Sequence, residues 1–375
     1  MHILHVVGAR PNFMKAAPVL RALTAAGVLR QTLVHTGQHY DRVMSEVFFR
    51  QLEMPEPDCD LGVGSGSHAR QTADIMRGLE SIVLERNPDL VLVYGDVNST
   101  VAAALVCAKL GIRIGHVEAG LRSHDRSMPE EINRLLTDQI SDLLFTPSPD
   151  ADENLIREGI EAGRIHLVGN VMIDTLLRLL PRSEQFQRAD LPSPYALVTL
   201  HRPSNVDDLP WLGGLMETLT ELSEYLTIVF PVHPRTRRRL EELRKAGAGN
   251  ERLWILEPLP YLEFLALQRR ATVVITDSGG IQEETTMLGV PCLTVRENTE
   301  RPITLTLGTN QLVGRNLARL RDAVERILRQ GPEAKDKRKQ SVARVPLWDG
   351  HAAQRIAETI VQASSDQNKG RRGSD

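Results

Sequence analysis

One stretch restricts the fold of this chain more than any other: residues 90–134, LVLVYGDVNSTVAAALVCAKLGIRIGHVEAGLRSHDRSMPEEINR. Leu90 to Tyr94 is a continuous apolar run with the length of a strand buried on both faces, which is a strand of a parallel sheet. Gly95 and Asp96 end it, and Asn98-Ser99-Thr100 supply capping side chains for the Ala-rich helix that follows. A second short strand, Ile112 to Val117, stops at Glu118. Gly120 then turns the chain, and Met128-Pro129 leads into a helix beginning near Glu130. Asp96 and Glu118 therefore sit at the carboxyl ends of two strands, where open α/β sheets place their ligands. Glu130 opens the next helix within reach of the same crevice. Each acid alone reads as a helix cap or a surface ion pair. Three together point to chemistry. Three carboxylates buried unpaired at one mouth are costly, so at least one is expected to have a raised pKa.

The rest of the chain repeats the scheme. Strand Ile3–Val7 runs into Gly8-Ala9-Arg10-Pro11-Asn12-Phe13-Met14-Lys15, a tight turn and a helix start without the three spaced glycines of a dinucleotide fingerprint. Arg10 and Lys15 beside helix N–H groups suit a phosphate, and equally suit solvated surface charge. Thr32–Thr36 is a strand ending in Gly37-Gln38-His39-Tyr40-Asp41, with His39 either a functional or a plain loop residue. Leu61–Ser67 is a glycine-rich loop and Arg70–Asn87 a helix. Leu143–Thr146 and Ile165–Gly169 are further strands. Strand and helix alternate throughout, so the sheet is expected to be parallel.

Leu180–Pro194, with three prolines and several charges, reads as a linker into a second domain. There Ala196–Leu200 ends at His201-Arg202, Thr227–Val232 ends at His233, and Trp254–Leu256 is a short strand. Thr272–Thr276 ends at Asp277-Ser278-Gly279-Gly280 and enters the helix Ile281–Leu288. Pro291–Val295, the helix Asn316–Arg329 and an amphipathic helix Asp349–Gln362 complete the order, with a polar tail, Ser364–Asp375, expected to be disordered. The Ser278-Gly279-Gly280 turn is the sharpest phosphate signal, because glycines let backbone N–H groups approach an anion at a helix start. Glu283 and Glu284 are either dipole partners or acceptors for ribose hydroxyls. His201 is either structural or catalytic at its strand end.

Length and composition agree with two α/β domains. The chain has 375 residues, 41% hydrophobic and 25% charged, with a net charge of −3. That charge offers no basic surface for nucleic acid and gives no reason to expect a membrane. Cys59, Cys107 and Cys292 lie far apart, in no metal-ligand spacing, and an odd number fits a reducing cytoplasm. The chain opens on a strand with no signal peptide ahead of it and holds no apolar run of membrane-spanning length.

Taken together, Gly8-Ala9-Arg10-Pro11, Gly95-Asp96, His116-Val117-Glu118-Ala119-Gly120-Leu121-Arg122, Pro129-Glu130-Glu131-Ile132-Asn133-Arg134, His201-Arg202, Thr276-Asp277-Ser278-Gly279-Gly280-Ile281-Gln282-Glu283-Glu284 and Glu300-Arg301-Pro302 resemble the non-hydrolysing UDP-N-acetylglucosamine 2-epimerases, from Ile3 to Gln362. The resemblance implies two doubly wound Rossmann-like domains of the glycosyltransferase-B type with a cleft between them. Residues 1–170 would carry the catalytic acids and 171–348 would bind UDP, with a helix over 349–363 crossing back and a disordered tail over 364–375. It implies inversion at C2 of the sugar through loss and return of UDP, for polysaccharide precursor synthesis, with no metal or redox cofactor, in a cytoplasmic homodimer. It assigns catalysis to Asp96, Glu118, Glu130 and His201, and substrate binding to Arg10, Lys15, Arg202, Ser278, Gly279, Gly280, Glu284 and Arg301.

The sequence departs from the commonest bacterial pattern in places. Gln38, Arg70, Arg202 and His233 match a second, regulatory substrate site, but Asp41 stands where some members have glutamine. Pro203-Ser204-Asn205 and Ile303 also differ. The Gly37–Asp41 form, with Met44-Ser45 and Phe48-Phe49, resembles epimerases of UDP-2,3-diacetamido-2,3-dideoxyglucuronate. The rival expectations are a glycosyltransferase on the same fold, a hydrolysing epimerase and a catalytically silent nucleotide-sugar sensor.

Overall fold

The computed structural model describes residues 1–38, 49–186, 188, 190–232, 234–243, 251–331 and 345–372. The chain divides into two units, Met1–Arg178 with Pro346–Asp375, and Leu179–Val345.

In the first unit the described residues form a seven-stranded sheet in the order β3-β2-β1-β4-β5-β6-β7. The strands are β1 (His2–Val7), β2 (Arg30–His35), β3 (Cys59–Asp60), β4 (Leu90–Tyr94), β5 (Arg113–Val117), β6 (Leu143–Thr146) and β7 (Ile165–Leu167). Every pairing is parallel, as the alternation of strand and helix implied. The connecting helices are α1 (Arg10–Ala25), α2 (His68–Arg86), α3 (Asn98–Leu110), α4 (Pro129–Ile140), α5 (Pro149–Arg157) and α6 (Val171–Leu179). The direction of winding reverses between β1 and β4, so their carboxyl ends frame the crevice in which such sheets bind ligands. Val91 and Val93 of β4 are fully buried with Leu79 and Val83 of α2 and Ala103, Ala104 and Cys107 of α3. This layer fixes the height at which Gly95 and Asp96 emerge.

In the second unit the described residues form a six-stranded parallel sheet, β10-β9-β8-β11-β12-β13. The strands are β8 (Tyr195–Thr199), β9 (Thr227–Pro231), β10 (Leu253–Leu256), β11 (Val273–Thr276), β12 (Cys292–Thr294) and β13 (Asn310–Leu312). Its helices are α7 (Pro203–Val206), α8 (Leu209–Leu222), α9 (Pro234–Leu243), α10 (Tyr261–Gln268), α11 (Gly279–Leu288), α12 (Ile303–Thr306) and α13 (Leu317–Gln330). Its reversal lies between β8 and β11. A buried layer including Val198, Leu215, Leu219, Ile228, Phe230, Ile275 and Leu293 covers one face of the sheet.

The last helix, α14 (Ala352–Arg372), belongs to the first unit and packs on α1. Asp174 of α6 accepts from the N–H groups of Ala352 (3.2 Å) and Ala353 (2.7 Å), capping α14 across the chain. Trp348 Nε1 donates to the Pro147 carbonyl at 3.0 Å, which anchors the approach to the helix. The sequence reading ended this helix at Gln362 and expected a disordered tail, whereas the helix runs on to Arg372. Among the described residues no helix is long and apolar enough to cross a membrane.

Two edge strands, β3 and β13, have no counterpart in the sequence reading. They have two and three residues, too few for an apolar run to show. The capping of α3 also differs. Its N-cap is Val97, with no side-chain cap, so Asn98, Ser99 and Thr100 are its first turn. The cap comes from elsewhere in the chain: Gln38 Oε1 accepts from the Ser99 N–H (3.1 Å) and hydroxyl (2.7 Å). Asn98 Nδ2 donates to Gln71 Oε1 at 2.8 Å, and the Thr100 hydroxyl bonds back to the Tyr94 carbonyl at 2.8 Å.

Candidate active site

Asp96 and Glu118 leave neighbouring strands. Tyr94 of β4 stands opposite Val117 of β5, so the two acids emerge about one strand spacing apart, roughly 5 Å. Glu118 has φ of 75°, an uncommon conformation for a residue with a side chain. The turn holds it there: the Glu118 and Ala119 N–H groups share the Phe145 carbonyl, at 3.0 and 3.1 Å.

The Glu118 side chain is 2% exposed and forms an ion pair with Lys15 Nζ at 2.7 Å, the lysine being 5% exposed. Lys15 reaches it from α1 over Gly95. A Cβ on Gly95 would stand 2.6 Å from Lys15 Nζ, and the residue has φ of 64°, so glycine is required twice over. Asp96 pairs with Arg134 Nη1. Arg134 is almost wholly buried and also grips Glu131 Oε2 through Nη2 (2.6 Å) and Nε (3.1 Å). Glu131 in turn accepts from the Ser123 N–H (3.0 Å), its hydroxyl (3.0 Å) and the His124 N–H (2.8 Å). Burial pushes the Glu131 carboxyl up, but these donors and the Arg134 guanidinium outweigh it and hold it below the ordinary carboxylate range. Glu130, the second residue of α4, is half-buried.

The cost of burying these acids unpaired is avoided at two of them: Glu118 and Asp96 each have a cation beside them. Lys15, expected beside Arg10 at a phosphate, is the partner of Glu118. Arg10 is the half-buried first residue of α1. The N–H groups of Gly8 and Ala9 bond to Asn12 Oδ1 at 3.0 and 3.1 Å, and Asn12 Nδ2 donates to the Tyr94 carbonyl at 2.7 Å, joining the ends of β1 and β4.

A second layer supports this edge. His116 Nε2 lies 2.8 Å from the Gly95 carbonyl and Nδ1 2.6 Å from Asp138 Oδ1, both residues fully buried. Asp138 Oδ2 also accepts from Arg122 Nη1 (2.7 Å) and the Gly120 N–H (3.1 Å). Burial raises the Asp138 carboxyl, and the charges and hydrogen bonds of His116 and Arg122 more than reverse this. Glu131, Arg134 and Asp138 were missed in the sequence reading. Their signal was the spacing of three and four residues along one buried face of α4.

In the second unit the end of β11 is built around Asp277. It is fully buried and accepts from the N–H groups of His201 (3.2 Å) and Arg202 (2.9 Å) and from Asn205 Nδ2 (3.1 Å). His201 Nδ1 lies 2.8 Å from its Oδ1, with the ring 55% exposed. Burial raises the Asp277 carboxyl, and these groups together bring it below its ordinary value. Ser278 stands at the N-cap position of α11 with no side-chain cap, and Gly279 and Gly280 open its first turn. A side chain on Gly279 would collide with the Arg301 guanidinium and the Glu300 carboxylate.

Arg301 Nε lies 2.7 Å from Glu283 Oε1, and Arg296 Nη2 lies 2.8 Å from Glu300 Oε2. Arg202 Nη2 stands 3.9 Å from Glu300 and its Nε donates to the Asp277 carbonyl at 3.1 Å. Burial works against the Glu300 charge, yet Arg301, Arg296 and Arg202 hold its carboxyl far below the ordinary range. Glu284 is different. It accepts from the Tyr261 hydroxyl at 2.8 Å, and burial pushes it up to about 7 despite help from Tyr261 and Gln268.

Of the expected regulatory residues, Gln38 is buried as the cap of α3 and Arg70 is exposed on the first turn of α2. Asp41 and His233 lie outside the described residues, as do His39, Met44, Ser45 and Phe48.

The two units are parallel, doubly wound α/β sheets of the glycosyltransferase-B class, with titratable groups at the strand ends. The family model for UDP-N-acetylglucosamine 2-epimerase matches residues 21–361. The UDP-N-acetylglucosamine 2-epimerase of Methanocaldococcus jannaschii is 42% identical over 372 residues, 96% of this chain and 99% of that protein. The UDP-2,3-diacetamido-2,3-dideoxy-D-glucuronate 2-epimerase of Pseudomonas aeruginosa is 44% identical over 317 residues, 84% of this chain and 88% of that protein. A crystal structure of the M. jannaschii enzyme in complex with UDP-N-acetylglucosamine and UDP superposes with a TM-score of 0.87 at 41% identity, covering 96% of this chain and 100% of that one. The chain belongs to the UDP-N-acetylglucosamine 2-epimerase family and is an isomerase.

The Glu284 environment has a measurable consequence. Its folded-state pKa, about 7, lies above the ordinary 4.5, so its share of stability is full below pH 4.5 and is lost as pH rises toward 7. Glu284→Gln keeps the neutral shape without the charge. In the absence of nucleotide it is expected to raise the thermal unfolding midpoint above wild type at pH 8 and to leave it near wild type at pH 5. The same difference at both pH values would show that Glu284 is not held neutral.

Proposed function

We propose that this chain catalyses the reversible inversion of C2 in UDP-N-acetylglucosamine, giving UDP-N-acetylmannosamine, by elimination and re-addition of UDP. A carboxylate takes the C2 proton, the C2–H electrons form a C1–C2 double bond, and the C1–O bond breaks with its electrons leaving on UDP. The 2-acetamidoglucal so formed adds UDP back while a proton returns to the opposite face of C2. Atoms and charge balance with no outside reagent.

The observation that carries this reading is the placement of Asp96 and Glu118 at adjacent strand ends, each held by a cation. The C2–H is a weak acid, so its base must be ionised beforehand and fixed in register. Delivery from the other face calls for a second acid–base group, which is the role given to the remaining acids, Glu130 among them. The second unit supplies most of the nucleotide groups: the Ser278-Gly279-Gly280 helix start and Arg301 for the diphosphate, with Arg202 adding positive charge, and Glu284 for the ribose; Arg10 of the first unit adds further positive charge. His201 stabilises the charge that grows on departing UDP. The relatives named for this activity support the same substrate, and a role in polysaccharide precursor supply accords with it.

The P. aeruginosa relative supports a second substrate reading, the 2-epimerisation of UDP-2,3-diacetamido-2,3-dideoxyglucuronate. Incubation with each nucleotide sugar alone decides between them: the true substrate converts without an acceptor, and conversion only with an acceptor would indicate a glycosyltransferase.

Product formed in deuterated water is expected to carry deuterium at C2, read by proton NMR. Product that retains its original hydrogen there would exclude proton transfer to a side chain. Asp96→Asn, Glu118→Gln and Glu130→Gln are each expected to lower turnover by about two to four orders of magnitude while UDP still binds. Turnover near wild type in one of them would remove that residue from the chemistry.

A further inference from the structure

The ends of β8 and β11 are tied together by the carboxylate of Asp277, whose role the proposed reaction has not yet used. Its two oxygens face different work. Oδ2 takes the Arg202 N–H at 2.9 Å, the Asn205 amide at 3.1 Å and the His201 N–H at 3.2 Å. Oδ1 faces the His201 ring at Nδ1, 2.8 Å away, and the His201 N–H again at 3.2 Å. An ionised carboxylate only accepts, so the ring nitrogen facing it is a donor. In a neutral imidazole the other nitrogen, Nε2, then carries a lone pair. The anchor is fully buried while the ring is 55% exposed, so one edge of the imidazole is fixed in the protein and most of the ring is open to solvent or ligand.

We propose that Asp277 is a positioning residue for His201, holding the proton on Nδ1 and the ring in one orientation so that Nε2 is the nitrogen that takes up a second proton and presents it to the departing UDP. This rests on the reading that His201 serves the reaction. Asn205 and the Arg202 backbone complete the arrangement by orienting the carboxylate itself, as the outer partners of a reacting histidine do elsewhere. The same residue precedes the Ser278-Gly279-Gly280 turn, so the histidine and the phosphate turn are set from one point.

Asp277→Asn gives a sharp test. The Oδ2 position has three N–H donors around it, so the amide oxygen of the variant settles there and its NH₂ turns toward His201. That NH₂ donates to Nδ1, which moves the ring proton to Nε2. Nitrogen-15 NMR of histidine-labelled full-length protein, with His201→Asn used to assign the signal, reads the tautomer directly. The neutral wild-type ring is expected to be protonated at Nδ1, and the Asp277→Asn ring at Nε2, with kcat lowered about a hundredfold or more and UDP binding retained. Asp277→Asn added to His201→Asn is expected to cost no further turnover.

A wild-type ring protonated at Nε2 would overturn the proposal, and that measurement needs only the His201→Asn assignment variant and not Asp277→Asn. Wild-type kcat in Asp277→Asn would overturn it as well. Wild-type kcat in His201→Asn would instead overturn the reading of His201, and with it the functional role of Asp277, whatever the tautomer.

Discussion

A carboxylate taken out of water at the edge of a sheet stays charged when a cation or several N–H donors are held beside it. Moving such a group out of water costs several kcal/mol, and the ion pair must offset that through good geometry and further hydrogen bonds. Both strand-end acids of the first unit meet the condition. Lys15 comes from α1 to Glu118, and Arg134 comes from α4 to Asp96. Gly95 leaves the space that Lys15 needs. The acids and their cations therefore form a set.

The second unit applies the rule with the signs exchanged. Three arginines, Arg202, Arg296 and Arg301, gather around buried Glu300, and Arg301 also meets Glu283. Acidic partners keep these guanidinium groups oriented beside the α11 start, where a diphosphate would supply the charge that the side chains share out. Glu284, one turn along, has a hydroxyl partner, not a cation, and burial raises it accordingly. Charge is thus fixed where the proposed chemistry needs it and suppressed where a neutral hydrogen-bonding group suffices.

Much of this was legible in the sequence. Leu90–Tyr94 reads as a buried parallel strand, and Asp96, Glu118, His201 and Ser278 fall at strand ends because apolar runs stop there. The partners were not legible. Lys15 and Glu118 are 103 positions apart, and Gln38 caps a helix 61 positions away. Local rules offer Lys15 to a phosphate and Ser99 to its own helix cap, and neither rule could show the Glu118 carboxylate beside the first or Gln38 beside the second. Glu131, Arg134 and Asp138 lay closer to the surface of the sequence, since their spacing puts them on one helix face. Nothing in that spacing said the face was buried, because Ile132 and Leu136 occupy the exposed one. The short edge strands β3 and β13 left no periodic signal at all.

The central claim is that UDP leaves and returns while the paired acids handle the C2 proton. Positional isotope exchange tests it most directly. UDP-N-acetylglucosamine is prepared with oxygen-18 in the bridge between C1 and the β-phosphorus, incubated with the protein, and recovered for phosphorus NMR. If the C1–O bond breaks, the label stays on the β-phosphate of bound UDP, whose oxygens become equivalent by rotation before re-addition. The expected result is oxygen-18 appearing in non-bridging positions of recovered substrate and product. Epimerised product with all of its label still in the bridge would contradict the departure of UDP and require inversion with the C1–O bond intact.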